Sequence, residues 1–199
     1  MSSSVLIAVP TFENVMPETF KSIYGLQQPE GFRMAFDFVR GYCCARARNI
    51  IADEAIRGGF DYVLMVDSDM ILPPHALVSM LSGPVDLCLG CYPRKNTFDG
   101  TFELFKPGHK DYVVTYSFGE LEEAKGKIDV KGGGFGCALI RVEAMKRLPR
   151  PYFRYVEYDS GAVLSEDNYF CHQMTCAGFG IQADTNVMCG HAIRGFQFR

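Results

Sequence analysis

Five apolar residues in a row, Tyr62 to Val66, run straight into Asp67-Ser68-Asp69, and that junction constrains the chain more than any other segment. An apolar run without polar alternation predicts a strand over 61–66 that is covered on both faces, as the central strands of parallel sheets are. Two carboxylates one residue apart at the end of such a strand need positive charge beside them, because like charges repel strongly at that range and buried carboxylates are costly. A divalent cation is the simplest partner. Oxygen ligands of this kind suit Mn2+ or Mg2+, ions that keep water and substrate phosphate as further ligands. The other reading is a turn closed by Asp and Ser side chains. In an open α/β sheet ligands bind outside the carboxyl ends of the strands, which is where Asp67 and Asp69 emerge.

The flanking sequence alternates strand and helix. A β-branched run over 5–9 stops at Pro10-Thr11. A helix over 18–26 carries Phe20, Ile23, Tyr24 and Leu26, and a second strand is expected over 36–39. The segment 43–57 puts Ile50, Ile51, Ala55 and Ile56 on one helical face and stops at Gly58-Gly59. After Pro73-Pro74 a helix over 75–81 leads to a buried strand over 85–91. This alternation predicts an α/β fold with a mostly parallel central sheet. From 93 to 131 the pattern is shorter and turn-rich, with strands expected over 101–105 and 112–116 as an antiparallel addition or a loop region over a site. Beyond it a strand over 137–142, helices over 143–148 and 166–177, and strands over 181–185 and 187–189 are expected.

At 199 residues, 48% hydrophobic and 22% charged, the chain has the composition of one globular domain over 1–199. Its net charge of −3 and scattered Lys and Arg give no basic stripe, so nucleic acid is not indicated, whereas a small polar or nucleotide ligand stays open. There is no signal-peptide pattern at the start and no stretch of roughly 18 to 20 apolar residues for a transmembrane segment. Eight cysteines without a secretory signal point to reduced thiols and a cytoplasmic protein. Among them only Cys88-x-x-Cys91 has finger-like spacing, and it lies in an expected strand, which argues against structural zinc.

In order along the chain stand a strand ending in Pro10-Thr11, a helix with Arg48-Asn49, Asp67-Ser68-Asp69 after an apolar strand, a Gly-rich approach to a strand at 132–136, Glu166-Asp167 at a helix start and a late His191. In this ordered set the chain resembles the GT-A glycosyltransferases, family 2-like enzymes of a Rossmann-like fold, over nearly its whole length. The resemblance implies transfer of a sugar from a nucleotide-diphosphate sugar, most often a UDP-sugar, to a hydroxyl acceptor.

It also implies roles. Pro10, Thr11, Glu13 and Arg48 would border base and ribose, although an Arg on a helix is commonly a surface charge. Asp67, Ser68 and Asp69 would hold metal and diphosphate, with Asp67 facing the ribose or a metal-bound water and Asp69 on the metal itself. His191 would be a further metal ligand, against the ordinary reading of a structural histidine. Asp167 would take the acceptor's proton, which favours inversion, and Glu166 would contact the acceptor or cap the helix. Helix capping alone also accounts for an acidic pair after Ser165. The glycines at 132–136 lack phosphate-loop spacing and are expected to let backbone approach a sugar. Tyr152, Phe153, Tyr155 and Tyr158 would stack on an acceptor or simply pack.

Two other classes compete. A nucleotidyltransferase would carry a Gly-rich basic loop after the first strand, where Pro10-Thr11-Phe12-Glu13-Asn14 stands instead. A non-catalytic glycan- or nucleotide-binding module on the same fold would not need Asp67, Asp69, Asp167 and His191 together. Sugar, protein side chain, small metabolite and modified nucleobase all stay open as acceptors.

Overall fold

The structure, a computed structural model, describes residues 2–95, 100–107 and 114–192. β1 (Ser3–Thr11), α1 (Pro17–Tyr24), β2 (Phe32–Arg40), α2 (Cys44–Arg57) and β3 (Tyr62–Val66) open the chain, and β1 pairs in parallel with both β2 and β3. β4 (Met70–Ile71), α3 (Ala76–Met80) and β5 (Leu87–Cys91) follow. A middle region holds β6 (Thr101–Phe105), β7 (Thr115–Ser117), α4 (Phe118–Glu123), β8 (Lys127–Asp129) and β9 (Gly132–Gly133). The last third holds β10 (Cys137–Arg141), α5 (Val142–Met145), β11 (Val156–Glu157), β12 (Val163–Leu164), α6 (Glu166–Cys176), β13 (Ile181–Met188) and β14 (Gly190–His191).

The main sheet has the order β2-β1-β3-β10-β5-β13-β8. β2, β1, β3, β5 and β13 point one way, while β10 runs against β3 and β5 and β8 runs against β13. The α/β fold with a mostly parallel sheet is as expected, and so is the small antiparallel addition, β7-β6-β9. The reversal of β10 was not legible, because a strand buried along four of its five residues reads the same in either direction.

Alternation along the strands builds an apolar layer on each face. Leu6, Ala8, Val63, Met65, Leu87 and Leu89 face α2, α5 and α6, and Val5, Ile7, Val9, Leu64, Val66 and Cys88 face α1 and α3. In the first layer Phe135, Phe153 and Phe170 form a cluster, with Phe153 and Phe170 stacked at 4.6 Å between ring centroids. α2 ends where Gly59 takes a φ of 67°, a left-handed conformation that side chains disfavour. Among the described residues no helix is long and apolar enough to cross a membrane.

Several boundaries differ for physical reasons. β2 begins at Phe32 instead of 36, because it lies at the sheet edge, where exposed Arg33, Phe36, Phe38 and Arg40 blur the apolar signal. α4 was not anticipated, although Ser117 and Glu120 form a reciprocal capping box. β13 is continuous where two strands were expected, with an irregular register between Asp184 and Met188; buried Asp184 accepts a hydrogen bond from Ser79 at 2.6 Å. The strand expected over 112–116 lies partly outside the described residues, and β7 begins at Thr115.

The glycines before β10 permit contacts within the protein. A Cβ on Gly133 would lie 2.5 Å from the Glu103 carbonyl oxygen, and one on Gly134 would lie 2.1 Å from the Tyr92 hydroxyl. Backbone cannot yield as a side-chain end can, so Gly133→Ala is expected to lower the thermal unfolding midpoint by roughly 5 °C. Gly119→Ala, inside α4 with nothing within 4 Å, should leave the midpoint unchanged or slightly raised.

Candidate active site

β3 delivers Asp67-Ser68-Asp69 to the carboxyl edge of the sheet. The Asp67 N–H donates to the Gly136 carbonyl at 3.0 Å, and the Met70 N–H turns back to the Asp67 carbonyl at 3.1 Å. The loop after β1 is pinned onto this turn, since the Ser68 carbonyl accepts from the Met16 N–H at 2.9 Å and the Thr19 hydroxyl at 3.1 Å. Pro10 and Thr11 close β1 beside it. Buried Thr11 donates to the Asn14 carbonyl at 2.7 Å, while Glu13 is exposed at the loop surface.

β4 continues from the turn and pairs with β14, setting His191 opposite Met70. The Ala192 N–H donates to the Asp69 carbonyl at 2.7 Å. Nδ1 of His191 lies 3.1 Å from the Pro93 carbonyl, which can only accept, so Nδ1 carries a proton, and in the neutral ring Nε2 presents a lone pair. That Nε2 lies 3.8 Å from Oδ1 of Asp69, with the Tyr92 ring edge-on to the imidazole at 5.3 Å. A carboxylate oxygen and an imidazole nitrogen facing one space fit Mn2+ and, less selectively, Mg2+. Among the described residues no three His, Cys, Asp or Glu side chains converge to hold an ion by themselves, so further ligands would come from water and a donor diphosphate. Lys95 forms an ion pair with Oδ2 of Asp69.

Asp67 points to a different partner. Its Oδ1 takes NH2 of Arg48 at 2.8 Å, and NH1 of the same guanidinium takes Glu166. Arg48 is only 2% exposed, and its guanidinium lies 5.6 Å from the centre of the Phe135 ring. Burial alone would make Arg48 a weaker base, but Asp67, Glu166 and Asp167 outweigh it and hold the proton more firmly than usual. Burial raises the pKa of Asp67, Arg48 pulls it back, and Asp69 and Asp167 push it up again, leaving it above the ordinary carboxylate value. The Tyr155 hydroxyl is pushed up by burial and by the negative charge of neighbouring Glu166.

Asp167 opens α6 beside Glu166. Its Oδ1 accepts from the Ser165 hydroxyl and from the Asn168 N–H at 2.7 Å. Ser165 occupies the cap position, but its hydroxyl serves Asp167 and the Asn168 amide at 2.9 Å instead of capping the helix backbone. Asp167 is close enough to act electrostatically on both Asp67 and Arg48.

The structure thus gathers Pro10, Thr11, Arg48, Asp67, Ser68, Asp69, Glu166, Asp167 and His191 at one edge of the sheet, with Glu13 on the adjoining loop; Arg194 lies outside the described residues. The expected ligand set of Asp67, Asp69 and His191 divides, since Asp69 faces His191 while Arg48 holds Asp67. Sequence reasoning missed Tyr92 and Lys95, in the stretch after β5, where their position at a strand's carboxyl end was the available signal. Of the four aromatics before α6, Tyr152 and Phe153 are buried, whereas Tyr155 and Tyr158 are half exposed.

No family model and no curated protein matches the sequence. Solved structures do match its backbone. GalNAc-T7 with UDP, GalNAc and Mn2+ superposes with a TM-score of 0.62 at 10% identity, over 98% of this chain and 45% of its own. Staphylococcus aureus TarS with UDP-GlcNAc gives 0.54 at 12% identity, over 98% and 62%. The chain has the GT-A fold. A197 from STIV, at 0.60 and 17% identity, is matched over 95% of this chain and 85% of its own. The chain therefore spans most of A197 but less than two thirds of either glycosyltransferase.

Removing Arg48 strands the buried Glu166 carboxylate and leaves the partly exposed Asp67 without its partner, so Arg48→Met should cost about 3–5 kcal/mol at pH 7 in urea unfolding. The stranded carboxyls bind protons better folded than unfolded. The native state then gains stability as pH falls toward the carboxylate range, and the deficit against wild type should shrink there.

Proposed function

We propose that the chain is a metal-dependent glycosyltransferase of one domain that moves a sugar from a nucleotide-diphosphate sugar to a hydroxyl acceptor, with inversion. The observation that carries this reading is the approach of Nε2 of His191 to the Asp69 carboxylate, beside the buried Arg48 network at the carboxyl edge of a GT-A sheet. UDP is the favoured nucleotide, being the one in the structures of GalNAc-T7 and TarS.

Pro10, Thr11 and Glu13 border the base and ribose, and Asp67, held by Arg48, turns its remaining oxygen to the ribose. Asp69 and His191 hold Mn2+ or Mg2+, and Ser68 shapes the turn between the two aspartates. When bound, the cation offsets negative charge growing on the departing diphosphate. Asp167, with Oδ1 fixed by Ser165 and Asn168, accepts the proton of the attacking acceptor hydroxyl. Glu166 is a positioning residue that ties α6 to Arg48.

UDP with Mn2+ at about a hundredfold above its Kd should raise the thermal midpoint by roughly 5–10 °C, as required of a ligand that binds only the folded state. The rise should need metal, exceed that with GDP, CMP or ADP, and vanish in Asp69→Ala. Asp167→Asn should keep it while lowering turnover by about a hundredfold or more. No rise with any nucleotide and metal would rule the transferase out.

A further inference from the structure

Next to the proposed centre, the first turns of α2 and the segment 150–155 border an open surface groove of ≈ 740 Å³. Arg46, Arg150 and Arg154 line it together with Asn49, Phe153 and Tyr155, and no lining residue is acidic. Three arginines bordering one open groove are a local excess of positive charge on a chain whose net charge is −3.

The groove is built on fixed parts. Asn49 staples its two walls, donating to the Ala45 and Phe153 carbonyls at 2.7 Å each and accepting from the Phe153 N–H at 3.2 Å. Arg46 lies over the Tyr42 ring at 4.9 Å and Arg154 over the Tyr169 ring at 4.6 Å. Stacking holds a guanidinium plane in place and leaves its in-plane N–H groups available to an oxyanion. Arg150 is paired with Asp53, but among the described residues no carboxylate pairs with Arg46 or Arg154. The first turn of α2 has no acidic residue, so the positive end of that helix adds to the same potential.

α6 and α2 connect the groove to the chemistry, since Arg154 lies over Tyr169 of the helix that opens with Glu166 and Asp167, and Asn49 of the groove follows Arg48 on α2. We infer that the groove is the acceptor site and that the acceptor is anionic, carrying a phosphate or carboxylate gripped by Arg46 and Arg154. The word acceptor rests on the transferase reading; the anion site stands on the groove itself.

Calorimetric titrations with inorganic phosphate, glucose 6-phosphate, glucuronate and neutral glucose, each with and without UDP and Mn2+, test this. At least one of the anions should bind more tightly than glucose, and the better of glucose 6-phosphate and glucuronate identifies the charged group. In an Arg46→Gln/Arg154→Gln double variant that anion's affinity should fall by about tenfold or more, with UDP–Mn2+ binding unchanged. Both side chains are exposed, so the variant is expected to fold, and its thermal midpoint checks this. Equal affinity for glucose and the anions, or undiminished anion affinity in the variant, overturns the proposal. Anion binding lost in the variant, in a protein that binds no nucleotide, would support the groove while overturning the transferase reading.

Discussion

Much of the site depends on one desolvated guanidinium. Arg48 reaches from α2 to the end of β3 at Asp67 and to the start of α6 at Glu166, residues 19 and 118 positions away. One cation between two carboxylates, with Asp69 and Asp167 close by, leaves the region short of positive charge. That deficit gives a divalent ion, or a cationic side chain such as Lys95, a place beside Asp69. The Arg48–Glu166 pair is buried, so removing either partner leaves an uncompensated charge away from water.

The sheet supplies the rest of the geometry. β1, β3 and β5 end at one edge, so the loop after β1, the Asp67–Asp69 turn and the stretch around Tyr92 meet there. β10 lies antiparallel between β3 and β5, and its approach puts the Gly136 carbonyl under the Asp67 N–H. The short pairing of β4 with β14 carries His191 back to Asp69. Glycines at 133, 134 and 136 let this approach lie against Tyr92, Glu103 and Met70, so part of the rigidity around the aspartates comes from backbone contact that no side chain would tolerate. Pro10, Thr11, Glu13 and Asp67, bordering the proposed nucleotide, come from the first half of the chain, and Asp167, Glu166 and His191 from the second, while the arginine groove takes one wall from each and Arg48 joins the two.

The pattern of apolar runs was enough to predict an α/β sheet, because strands buried on both faces and helices with one apolar stripe look different in sequence. It said nothing of the direction of β10, and it underestimated β2, whose edge position leaves phenylalanines and arginines side by side in the open. The aspartates were legible because two acids after an apolar strand conflict with their surroundings. The gathering of Arg48, Glu166 and Asp67 was foreshadowed only by the ordered resemblance to GT-A enzymes, since an arginine in a helix gives no local sign of being buried. The arginine groove was illegible for the same reason: Arg46, Arg150 and Arg154 are scattered in sequence and meet only through the stapling of 150–155 to α2.

The central claim is that Asp69 and His191 hold a divalent ion together with a nucleotide diphosphate. Pulsed electron paramagnetic resonance of the protein with Mn2+ and UDP tests it most directly. The account predicts nitrogen coupling from the His191 imidazole and phosphorus coupling from the diphosphate in one spectrum, with the nitrogen signal lost in His191→Ala. A Mn2+ spectrum with phosphorus coupling but no nitrogen coupling, or one identical to Mn2+–UDP free in solution, would contradict it.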